Sequence, residues 1–204
     1  MEEASLYRRG LRLEYFTVAY NVAEAVASIL FGLAAGSVAL VGFGLDSVME
    51  SLSAVVLIWR LRQHGEAPEK EERIERKATR IVAVTFFVLA AYVLYESVST
   101  LVRGKRPEAS LPGVVIAVIS VVIMPILARL KHDVGRRLGS TALIADSKET
   151  LVCSLLSLAL LVGLGLNYLF GFWQADPIAG LVIVAFLCME GYETWEEGEE
   201  EEDS

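Results

Sequence analysis

Histidine and cysteine are almost missing from this chain, two of each in 204 residues. Cys153 and Cys188 both sit in apolar runs, which argues against a disulfide-stapled secreted scaffold and leaves the redox compartment unread. His64 and His132 fall in expected loops, and neither has a partner at ligand spacing. No glycine-rich nucleotide loop occurs. These absences leave a soluble enzyme without support, and neither an organic cofactor nor a nucleic acid partner is expected. The opening MEEASLYRRGLRLEYF has no apolar core ahead of a small-residue cleavage site, so no signal peptide is expected and insertion would rest on the first apolar helix. Basic residues are absent from one stretch. Glu193, Glu196, Glu197, Glu199 to Glu202 and Asp203 are eight acids with no base among them, and outside them 18 acids balance 18 bases.

What the chain has instead is apolar length. Hydrophobic residues make up 54%, above the roughly 45–50% of soluble domains, and the mean hydropathy is +0.51. A bilayer core of about 30 Å needs roughly 20 helical residues, and six segments qualify: 13–35, 37–60, 81–102, 111–130, 140–168 and 177–195. The expected fold is therefore an all-α membrane protein of six transmembrane helices. Residues 1–12 form an N-terminal arm, 13–195 the membrane domain with a loop at 61–80, and 196–204 an acidic tail. Ala35-Gly36-Ser37 is short enough to force an antiparallel hairpin. Pro125 should kink the fourth helix, and Asp176 before Pro177 reads as the N-cap of the sixth.

Fourteen Lys and Arg residues lie in the N-terminal arm and in the loops after helices 2 and 4, against Arg103, Lys105 and Arg106 on the other side. This places both termini in the cytoplasm, at the cell (inner) membrane. Glu69/Arg73 and Glu72/Arg76 stand at i,i+4, which predicts a solvated helical extension leading into helix 3.

An internal repeat organises the polar residues. Gly36–Leu52 aligns without a gap on Gly139–Leu155, and Gly36/Gly139, Ser37/Ser140, Ala39/Ala142, Leu40/Leu143, Ser51/Ser154 and Leu52/Leu155 coincide. In this register Asp46 falls on Glu149 and Glu50 on Cys153, so each copy presents an i,i+4 pair of metal-capable side chains on one helix face. Three spans separate corresponding helices, so the copies run in opposite directions as two inverted three-helix halves. Asp46 and Glu149 each lie ten residues past the opening glycine. At 1.5 Å per residue that is about 15 Å from opposite faces, the same mid-membrane plane, where inverted-repeat transporters place their sites. Three carboxylates and a thiol supply the four donors of a tetrahedral Zn²⁺ site. An all-oxygen set would lean to Mn²⁺ or Mg²⁺, and the sulfur turns the choice toward Zn²⁺, Cd²⁺ or Co²⁺, with Fe²⁺ still open. Ionisable groups inside a membrane are expensive and usually functional. Asp146, three residues before Glu149, is a further donor, a supporting group or an entrance residue. Lys148 either snorkels toward the cytoplasm or neutralises Glu96 or Glu24. Asn21 and Glu24 on helix 1 line a path or bridge helices.

At these residues the chain resembles the cation diffusion facilitators. Their membrane site joins an Asp-x-x-x-Asp or His-x-x-x-Asp pair on helix 2 to a His-x-x-x-Asp pair on helix 5. Here SVALVGFGLDSVMESL carries Asp46 and Glu50, STALIADSKETLVCSL carries Ala145-Asp146 ahead of Glu149 and Cys153, and WQADPIAGLVI is similar to the family's entry into helix 6. The resemblance implies efflux of a divalent metal ion in exchange for protons by alternating access, with the ion as cargo. It also implies two departures: Glu-x-x-x-Cys replaces His-x-x-x-Asp, and the acidic EGYETWEEGEEEEDS stands where the family commonly has a cytosolic domain. Any homodimer is then expected to form through membrane helices or loops. Two rival readings stay open, a membrane protein that binds zinc for sensing or partner regulation without moving it, and a carrier of organic cations.

Overall fold

The computed structural model describes residues 2–62, 68–104, 106–108 and 110–200. These form six helices: α1 Glu2–Ala35, α2 Val38–Arg62, α3 Pro68–Arg103, α4 Leu111–Leu138, α5 Thr141–Phe170 and α6 Ala175–Glu200. No strand occurs among the described residues. Every helix holds a segment long and apolar enough to cross a membrane, and side chains such as Leu30, Val102, Leu169 and Phe170 stand exposed on the outside of the bundle. The chain is a multi-pass membrane protein.

The helices overrun the expected spans. Residues 2–12, expected as an arm, continue α1, and α3 begins at Pro68, which bears out the helical extension. Bilayer thickness limits only the apolar stretch; backbone hydrogen bonds carry the helix on into the interface. The largest correction is at α4, which runs to Leu138. Lys131 and His132 are therefore helical residues and not loop residues. Pro125 lies inside α4, which continues through it. His64 and residues 201–203 of the tail fall outside the described residues, as do the side chains of Glu69, Glu72, Arg73 and Arg76.

Helices α1 and α2, α4 and α5, and α3 and α6 pack as pairs. The first two pairs are built alike. Gly36 and Gly139 take left-handed φ of 66° and 64°, the region open to glycine at little cost. Ser37 and Ser140 then cap the next helix by accepting from the N–H of Leu40 and Leu143, at 3.1 and 3.3 Å. One turn before the bend, a Cβ on Gly32 would stand 2.8 Å from Val41, and one on Gly135 3.0 Å from Ile144. These are equivalent residues at the repeat offset, so glycine permits the same close helix crossing twice. The copies are also exchanged in space. Gly10 faces Leu143 and Leu61, while its counterpart Gly113 faces Leu40 and Leu164, each neighbour being the other's repeat mate. This cross-matching is what an approximate two-fold axis between inverted halves produces.

Asp176 corrects a second expectation. Helix α6 starts at Ala175, so Asp176 lies within its first turn and does not cap it. Its carboxylate accepts from the Ser37 hydroxyl and from the Val38 N–H at 3.1 Å, satisfying the positive N-terminus of α2 across the bundle. Apolar clusters flank a polar middle. One packs Phe43, Val93, Leu160 and Ile183, and a smaller one packs Leu57, Leu61, Val134 and Leu143.

Candidate metal centre

Asp46 and Glu50 project one turn apart from α2, and Glu149 and Cys153 one turn apart from α5. All four line one cavity of about 20 Å³, room for a single water-sized species. Asp46, Glu50 and Cys153 are buried at 4–6% exposure. The halves touch directly here, since the Cys153 thiol donates to Asp46 Oδ2 at 3.2 Å. Neighbouring hydroxyls hold the other two donors: Ser53 donates to Glu149 Oε2 at 3.0 Å and Thr150 to Glu50 Oε1 at 2.9 Å. Glu50 Oε2 is buried without a protein partner, an acceptor free for a ligand. Among the described residues no three His, Cys, Asp or Glu donors converge tightly enough to hold an ion. Completing the coordination shell therefore requires Glu50 and Glu149 to leave Thr150 and Ser53.

The remaining sequence candidates lie elsewhere. Asp146 is turned to α4, where its Oδ2 sits 2.5 Å from Lys131 Nζ. Lys148 is exposed on the outer face of α5, away from Glu24, whose carboxylate is held by Tyr20, Ser47 and Ser120. Glu96 is half-buried on α3, ten residues and about 15 Å beyond Phe86, the residue by which α3 reaches the cavity. Asn21 and Glu24 are buried on α1 and do not line the cavity.

The structure adds residues that the sequence reading missed. Glu190 of α6 joins the cavity wall; it follows Ile183 and Leu187 at helical spacing, a signal hidden by its nearness to the acidic tail. Lys131 is fully buried, 3.2 Å from Glu14 of α1 and 2.5 Å from Asp146 of α5. It also donates to Thr150 at 3.2 Å, which in turn donates to Glu50. The buried face of α4 includes Met124, Leu127 and Val134, and extending that 3–4 spacing through Lys131 exposes its inward position. His132 is half-buried with Nδ1 3.4 Å from the Ser147 hydroxyl. Cys188 is exposed and takes no part.

Buried acids and a thiol drawn from two inverted halves, within six membrane-length helices, define a polytopic membrane protein with a cation-type centre between its repeats. Residues 15–198 match the cation efflux transmembrane domain, and the chain belongs to that family. Among its relatives, an uncharacterized transporter of Methanocaldococcus jannaschii is 24% identical over 82% of this chain and 61% of its own length. Transmembrane protein 163 of Xenopus laevis is 25% identical over 89% of this chain and 64% of its own. A probable cation efflux system protein of Mycobacterium tuberculosis is 29% identical over 86% and 54%. The chain thus spans 54–64% of the length of these relatives.

Proposed function

We propose that this chain carries a divalent transition metal ion, Zn²⁺ first and Cd²⁺ or Co²⁺ next, outward across the cell (inner) membrane in exchange for protons. The observation that carries the reading is the Cys153–Asp46 contact inside a cavity that Glu50 and Glu149 also line. A sulfur among carboxylates favours Zn²⁺ over Mn²⁺ or Mg²⁺. Metal binding needs these groups deprotonated, so the ion and protons compete for one set of atoms, which is the physical basis of exchange. With both termini cytoplasmic, Ser53, Phe86 and Glu190 all lie on the cytoplasmic side of Asp46, so the cavity is entered from within. Rocking of the inverted halves would then expose the donors to the outside. A homodimer, if formed, would use the lipid-facing helix surfaces.

The test is transport by the full chain in lipid vesicles, one dye reporting zinc and another pH. Zinc movement with an opposite proton flux, abolished in Asp46→Ala, is the expected result. Zinc bound by the purified protein with no movement in vesicles would favour the sensing role and overturn this one.

A further inference from the structure

We propose that the buried face of α1 is a hydrated proton path, separate from the metal cavity, with Glu24 as its carrier at mid-depth. The proposal rests on the exchange reading above and deepens it by giving protons and metal different routes.

Glu14, Thr17, Asn21, Glu24 and Ser28 recur at alternating spacings of three and four, which is one face of a helix. Each is at most 6% exposed. From Glu14 to Ser28 the file is about 21 Å long, most of the thickness of a bilayer core. An uninterrupted polar face on a membrane helix is costly unless its groups are satisfied, and here several are not. Both side-chain atoms of Asn21, the Ser28 hydroxyl and Glu14 Oε1 are buried without a protein hydrogen bond. Buried polar atoms almost always have a partner, protein or water. Their spacing along the file marks where ordered water completes the chain.

Between those open positions, Glu24 is the connected node. Tyr20 donates to its Oε1 at 3.0 Å, Ser120 of α4 to the same oxygen, and Ser47 of α2 to Oε2 at 3.0 Å. Tyr20 and Ser120 are bonded to each other at 2.8 Å. Hydroxyls both donate and accept, as proton hopping requires. Glu24 is the single carboxylate at this depth of the file, which suits a proton rather than a dication. The ionisable groups facing it are Tyr20 on its own helix and Asp46 and Glu50 from α2, while α4 contributes Ser120. At the inner end Glu14 meets Lys131 of α4, Asp146 of α5 and Glu50 of α2. The file lies between α1, α2 and α4, whereas the cavity lies between α2, α3, α5 and α6.

The step balances as a pair of proton transfers. A proton arriving from the outer side through the Ser28 region converts the Glu24 carboxylate to the acid. Release through water at Asn21 toward Glu14 restores the carboxylate. Ser47, which bonds Glu24, is the chain neighbour of Asp46, so the charge at Glu24 is felt at the metal donors.

The test uses Glu24→Gln, which keeps the acceptor but carries no proton, and Asn21→Leu, which removes the water partner. In vesicles, zinc-driven proton movement should fall at least about tenfold in both, while calorimetric zinc affinity of the purified protein changes less than about tenfold. Wild-type proton movement in both variants would overturn the proposal. So would a Glu24→Gln loss of zinc affinity as large as that of Asp46→Ala, which would move Glu24 into the metal site. If the wild type moves no zinc, the exchange reading fails by itself, and the path is then judged by X-ray hydroxyl-radical footprinting. Labelling at Tyr20 that drops in Asn21→Leu supports water in the file; no labelling at Tyr20 overturns it.

Discussion

At the residue scale the molecule keeps two kinds of buried charge apart. The donors around the cavity are held by single hydroxyls that can let go, whereas Lys131 is clamped between Glu14 and Asp146 with no exposed surface. An ammonium buried in this way balances two carboxylates, so Lys131→Met should destabilise the protein by about 3–5 kcal/mol. The loss is read by thermal unfolding in detergent. The triple variant Glu14→Gln, Lys131→Met, Asp146→Asn should recover much of that loss, because no lone charge then remains; no recovery would mean that Lys131 acts by shape. Cys153→Ser makes a separate prediction. Replacing the sulfur with a hard hydroxyl should weaken Zn²⁺ and Cd²⁺ by at least about tenfold, or 1.4 kcal/mol, with a smaller effect on Mn²⁺. Calorimetry with each ion checks the order.

At the element scale the two hairpins are one design used twice. A methyl at Gly32 or at Gly135 drives into the backbone of the partner helix. Gly32→Ala and Gly135→Ala should therefore each destabilise by about 1–3 kcal/mol, the usual cost of overpacking, and by similar amounts. Denaturation of both variants side by side checks the equivalence. The hairpins also show how far the sequence could be read. The six spans, the repeat register and the facing of Asp46, Glu50, Glu149 and Cys153 follow from apolar length and periodicity, which are local properties. The end of α4 does not, because Arg129, Lys131, His132, Asp133, Arg136 and Arg137 look like a loop until Lys131 is seen to be neutralised by two other helices. Asp176 was misread for the same reason, since its partner is the start of α2, 138 residues away in sequence. The hydroxyls of Ser53 and Thr150 carry no signature of their own; only the fold brings them to Glu149 and Glu50.

At the scale of the whole molecule, the pseudo-two-fold arrangement is chemically unequal. Ser28 of α1 stands at the repeat position of Lys131 of α4, so one half presents an acid-and-hydroxyl file where the other presents a buried cation. This inequality gives the halves different partners to break during rocking. If metal and protons compete at the cavity, zinc affinity must fall as pH falls, because each added proton removes a donor. Calorimetry across pH, with proton release followed by buffer ionisation heat, checks both the sign and the number exchanged. The most direct measurement is zinc-edge X-ray absorption on the purified full chain. One sulfur at about 2.3 Å with oxygens at about 2.0–2.2 Å is expected, the sulfur disappearing in Cys153→Ser; a sulfur-free zinc shell, unchanged by that substitution, would contradict a metal centre shared between α2 and α5.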